Sequence, residues 1–176
     1  MSADLTPLIA ATTQWLTRAY APTGGALSAA LAHTQARQAV TAAAWLRYPT
    51  ELDAALVVVA GPGGSARLDW ISGADCADLD TNGDHAWRTW VDEVVASWAA
   101  CLLTDPALAR TAAAAAAGTD HAGGLPVDFR RLTDPDDGDR RAAALLRHPD
   151  LVAPLADLHR PALLQHLDPA AGPLAA

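Results

Sequence analysis

Apolar and polar positions along this chain follow a helical period at both ends and an extended one between. Thr6-Pro7 places a capping hydroxyl before a proline, a pair suited to a helix start. Leu8, Ile9, Thr12, Leu16 and Ala19 then share one face up to Ala21-Pro22. Thr23 opens a second predicted helix through Ala26, Leu27 and Leu31 to Leu46, stopped before Pro49. Its face is mostly alanine, which lets a neighbouring helix or a second chain approach closely. Residues 54–60 are a β-branched apolar run, and residues 66–71 mostly alternate apolar with charged. Gly61-Pro62-Gly63-Gly64-Ser65 lies between them, so the pattern predicts a β-hairpin over about 54–71. Two strands alone are marginal in water, and Val127, Asp128 and Phe129 are the expected third.

Helical spacing then returns. Trp87, Trp90, Val91, Val94, Val95, Trp98 and Leu102 recur at i, i+3, i+4 and i+7, predicting a central amphipathic helix over about 84–103 with Arg88 on its polar face. Thr104-Asp105-Pro106 starts another helix, which Gly118 stops. Beyond it, Pro149, Pro154 and Pro161 cut the C-terminal third into short helices. The expected fold is therefore α+β and mainly helical. Residues 1–118 are read as the core domain, and 119–176 as a loosely organised helical extension packed on it.

Composition narrows the chemistry. The 176 residues contain 12 arginines and no lysine, which excludes lysine Schiff bases, lysine general bases and P-loop lysines. Scarce Phe, Ile, Asn and Tyr beside abundant Ala, Arg, Gly and Pro indicate a GC-rich, bacterial genome. A net charge of −8 repels nucleic-acid phosphates and anionic lipid surfaces, so neither partner is expected. Arg130–Arg131 and Arg140–Arg141 flank the acidic positions Asp134, Asp136, Asp137 and Asp139 and neutralise them. No basic and apolar leader opens the chain, and no segment reaches the roughly 20 apolar residues of a membrane span. Cys76 and Cys101 fit neither a disulfide framework nor a CxxC site. The expected location is the cytoplasm, with both thiols reduced.

The one motif with ligand spacing is Asp78-Leu79-Asp80-Thr81-Asn82-Gly83-Asp84. It resembles the first half of an EF-hand calcium loop, in which alternate side chains turn oxygens inward and glycine permits the sharp bend. The resemblance implies metal ligands at Asp78, Asp80 and Asn82, with Asp84 beside them. It stops at Ala86 and Thr89, where the family carries its ninth ligand and its bidentate glutamate. The reading adopted is an Asx-rich turn leading into the helix at 84 without a cofactor, with calcium as the alternative. His85 and His121 follow acids but lack metal spacing, and His33, among alanines, is read as a packing residue. The glycine turn at 61–64 lacks the following helix that a phosphate loop needs. His148-Pro149-Asp150 resembles the J-domain tripeptide without that family's basic helix, and Pro149 is read as a helix stop. No Ser, Thr or Cys sits in a nucleophile-elbow frame.

Six tryptophans are the natural anchors of a core otherwise rich in alanine. Trp45, Trp70 and Trp87 are the expected members of an interaction surface. With no catalytic constellation in view, the expected function is non-enzymatic interaction or assembly, with a protein partner or a second copy. The alternatives are an enzyme whose site is assembled from scattered Asp, His and Arg, and a metal or small-ligand sensor.

Overall fold

The computed structural model describes residues 4–76, 86–123 and 127–168, and every regular element among them is helical. The ten α-helices are α1 (Thr6–Ala19), α2 (Gly25–Arg47), α3 (Glu51–Ala60), α4 (Ser65–Ser72), α5 (Glu93–Thr104), α6 (Pro106–Ala116), α7 (Arg130–Thr133), α8 (Asp137–Ala142), α9 (Pro149–Ala156) and α10 (Arg160–Leu167). The expected α+β class and β-hairpin at 54–71 are therefore corrected to an all-α fold. The cause lies at the ends of the apolar run. The Thr50 hydroxyl accepts from the Asp53 backbone N–H at 3.2 Å, and the Asp53 carboxylate accepts from the Thr50 N–H at 3.3 Å, closing a capping box. Gly61 stops α3 at a φ of 81°. Each cap is worth about 1 kcal/mol, whereas a valine costs a helix only a few tenths more than a straight-chain residue. Residues 66–71 wind as α4, which turns the adjacent Leu68 and Asp69 inward together. Val127-Asp128-Phe129 forms no strand; Phe129 is buried and closes the start of α7.

The second expected helix is present as α2, and its alanine face is the inner seam of the molecule. Ala32, Ala36, Ala39 and Ala43 are fully buried where α2 meets α1, α5 and α6, and α5 answers with Ala96, Ala99 and Ala100. The central helix is shorter than its pattern suggests. The Asp92 carboxylate accepts from the Val94 N–H at 2.9 Å and fixes the start of α5 at Glu93. Ala86–Trp90 is a separate 3₁₀ turn. Val95, Trp98 and Leu102 still form the buried stripe of α5. Arg88 is not a free surface group: its guanidinium lies 2.9 Å from the carboxylate of buried Asp69, which also accepts from the Trp15 indole N–H.

The C-terminal third is tied to α2 and α5 by polar groups. Buried Gln35 of α2 donates to the Asp139 carbonyl at 2.8 Å and accepts from the Arg147 guanidinium at 2.7 and 3.0 Å. Arg147 also donates to the Leu103 carbonyl at 2.6 Å. Arg130 and Arg131 both pair with the buried Asp139 carboxylate. Ser97 donates to the Ala156 carbonyl at 3.0 Å and accepts from the His159 N–H at 3.1 Å, joining α5 to the end of α9. Pro149 starts α9 instead of stopping a helix, and Pro154 lies inside it. No helix among the described residues is long and apolar enough to cross a membrane.

The α2 seam makes a direct test. Ala36→Leu adds three carbons to a fully buried position facing other helices. It is expected to cost about 1–3 kcal/mol in chemical denaturation, while Ala30→Leu on the exposed side of α2 stays within about 0.5 kcal/mol of the parent.

Candidate functional site

Helix α3 carries the most unusual surface among the described residues. Of its ten residues only Ala54 is buried. Leu52, Leu56 and Val59 stand 80%, 65% and 83% exposed and, at i, i+4 and i+7, form one outward ridge. Beside the ridge, and sharing Val59 with it, runs a mostly apolar groove of about 490 Å³, between Asp4 and the start of α1 (Leu5, Pro7, Leu8), the flank of α3 (Ala55, Val58, Val59) and Trp90. α3 holds this position through its ends. Its capping box fixes the N-terminus. After its C-terminus the glycine turn presses on the segment before α5, so a Cβ on Gly63 would sit 2.0 Å from the Val91 carbonyl oxygen. Residues 54–66 contain no charged side chain.

Past Leu8, Val57 and Trp90 the groove meets a smaller recess of about 150 Å³ lined by Arg47, Tyr48, Gly61, Gly63 and Asp92. Its polar groups are already engaged. The Tyr48 hydroxyl donates to Asp92, whose other oxygen caps α5, and the Tyr48 carbonyl accepts from His121 Nε2. The Arg47 guanidinium lies 5.3 Å from the centre of the Tyr48 ring. Burial, and then the hydrogen bond to Asp92, push the Tyr48 phenol well above its ordinary range. This recess ties α2 to α5.

The tryptophans of the expected interaction surface differ in exposure. Trp70 on α4 is 73% exposed. Trp45 is half-buried, edge-on to Phe129 with ring centres 6.2 Å apart and tilted on His121 at 6.3 Å. Trp87 is half-buried between the Arg18 and Arg88 guanidinium groups, 5.5 and 5.4 Å from its ring centre. Asp78, Asp80, Asn82, Asp84 and His85 lie outside the described residues. Among the described residues no three His, Cys, Asp or Glu side chains converge as metal ligands. Cys101 is buried against the Ala156 carbonyl, and burial pushes its thiol up to about 11, far from a nucleophile's range. His33 is exposed on α2, not packed in the core.

Sequence reasoning missed the ridge because three consecutive valines suggested a strand. The signal that finds it is Thr50 three residues before Asp53, ahead of Leu52, Leu56 and Val59 at helical spacing. The chain matches no family model, and comparison with curated proteins and with solved structures returned no match.

The buried phenols give a pH prediction. Burial pushes Tyr20 from 10.0 up to about 12. A group whose folded pKa is raised contributes stability that is complete below the unfolded value and is lost as pH rises through the folded one. Stability is therefore expected to fall between pH 10 and 12, by at most about 1.4 kcal/mol per pH unit from this group. Denaturant melts across that window should show a shallower fall in Tyr20→Phe.

Proposed function

We propose that the protein is a non-enzymatic assembly subunit that pairs with a second copy of itself through α3. The observation that supports this reading is the exposed ridge of Leu52, Leu56 and Val59 lying directly beside a mostly apolar groove of about 490 Å³ that shares Val59 with it. A ridge next to a groove is self-complementary: under a two-fold axis each copy inserts its ridge into the other's groove. A net charge of −8 opposes self-association in general and attracts basic partners, so a second copy fits best on an uncharged patch, as along residues 54–66. A partner chosen by charge would instead be met by a cluster of acids. At about 100 Å² per exposed aliphatic side chain the ridge supplies roughly 300 Å². The groove walls bring this toward the about 500 Å² per copy of a small specific interface.

Trp70, the exposed member of the tryptophan set, is an additional contact in this reading, and Trp45 and Trp87 are not. The cytoplasm is the proposed location. A buried free thiol at Cys101 suits a reducing compartment.

Sedimentation equilibrium from about 1 to 200 μM is expected to show a reversible monomer–dimer equilibrium. The double variant Leu56→Asp/Val59→Asp should sediment as a monomer with an unchanged helical circular-dichroism spectrum. A parent protein that remains monomeric across the whole range would refute the reading.

A further inference from the structure

A second recess, on the other side of α1, is built differently. It has a volume of about 390 Å³ and lies between α1 and α2, lined by Ala10, Thr13, Gln14 and Thr17 from the first and by His33 and Arg37 from the second. The spacings are those of two helix faces in register: Ala10, Thr13, Gln14 and Thr17 share one face of α1, and His33 and Arg37 stand at i and i+4 on α2. Its size is at the lower end of the range that small molecules occupy.

The lining is rich in hydrogen-bond donors without partners. Neighbouring threonines return their hydroxyls to the helix: Thr12 Oγ1 donates to the Leu8 carbonyl at 2.9 Å and Thr17 Oγ1 to the Thr13 carbonyl at 2.9 Å. Thr13 is the exception. It is 1% exposed, and its Oγ1 has no hydrogen-bond partner among the described residues. A buried hydroxyl in that state is a donor waiting for an acceptor. Half-buried Gln14 and the solvent-exposed His33 and Arg37 side chains have no protein hydrogen-bond partner or counter-charge among the described residues. No carboxylate lines the recess. In a chain with 20 acids and 12 arginines, most described guanidinium groups are claimed by a carboxylate, a carbonyl or a ring, as with Arg67, Arg88, Arg130, Arg131 and Arg147.

We infer that the α1–α2 recess is a binding site for a small oxyanion, held by the Arg37 guanidinium with Thr13 Oγ1, the Gln14 amide and His33. A planar guanidinium fork matches two oxygens of a phosphate or carboxylate, and the hydroxyl and amide supply single donors to the rest. The ligand class is a phosphate or carboxylate group on a molecule small enough for this volume; the recess does not extend to a polymer. It goes beyond the assembly reading and stands on other residues.

The test is an amide-resolved NMR titration of the full chain with inorganic phosphate and, separately, with succinate, each against sodium chloride at matched ionic strength. Saturable shifts centred on Thr13, Gln14, His33 and Arg37 are expected, with a dissociation constant of about 10⁻⁴–10⁻³ M for the better anion. The preferred anion tells phosphate from carboxylate ligands. Arg37→Met keeps the aliphatic stem of an exposed residue and is expected to weaken binding at least about tenfold while leaving the melting temperature unchanged. Thr13→Val removes the hydroxyl at constant shape. It should weaken binding several-fold without loss of stability, because no internal hydrogen bond disappears with it. The inference is overturned if neither anion gives a saturable response by about 20 mM, or if Arg37→Met binds as tightly as the parent.

Discussion

The close approach of α2 to its neighbours is the constraint on which the rest of the fold depends. An alanine buries little area, so a seam of alanines stabilises mainly by letting backbones and the larger side chains behind them come together. Ala32, Ala36, Ala39 and Ala43 do this on α2, and α1, α5 and α6 gather around it. Trp15, Leu16, Leu102 and Leu103 then fill the volume alongside. Such a seam has no slack: a methyl added to the inner face has nowhere to go. Gln35 is the polar exception within it. It survives burial because both ends of its amide are bonded, one to the Asp139 carbonyl and the other to Arg147.

Arginine without lysine suits this plan. Arg147 reaches Gln35, the Leu103 carbonyl and the Arg131 carbonyl from one rigid fork, and burial lowers its pKa without discharging it. An ammonium group in its place would hold fewer of these acceptors and would lose its proton more readily. Arg88 plays a related part at Asp69, where a buried carboxylate receives one ion pair and one indole hydrogen bond. The charged groups that hold the fold together are thus arginines bridging segments far apart in sequence, and the exposed acids supply the net charge of −8.

Much of the helical order is legible in the residues themselves. Asp105-Pro106 and the Leu and Val stripe of α5 each mark a helix in the structure, and a helix starts at Thr6-Pro7, although the Thr6 hydroxyl bonds to Asp4 and does not cap it. The failures occur where two signals compete. At 54–60 a β-branched run outweighed the capping box in front of it, and at 86–92 a seamless apolar period hid the Asp92 cap that breaks it. In both places a single side-chain oxygen bonded to a backbone N–H decides the local structure, and average propensity does not reveal it. The ridge of the candidate site was lost with the strand reading. The ion pair of Arg88 with Asp69 joins residues on different elements, so no local spacing announces it.

α1 is a wall of both the apolar groove and the donor-lined recess: Leu5 and Leu8 face the one, Thr13 and Gln14 the other. Coupling between two such sites requires an element with two arrangements that both occupants bias. α1 has little freedom to be that element. Trp15 and Leu16 are fully buried, Trp15 is bonded to Asp69, and Asp69 is held by Arg88. Shifting α1 would break that chain and open the alanine seam against α2, which opposes any shift that a weakly bound anion would favour. The groove and the recess are therefore expected to fill independently, so a change at one does not imitate a change at the other.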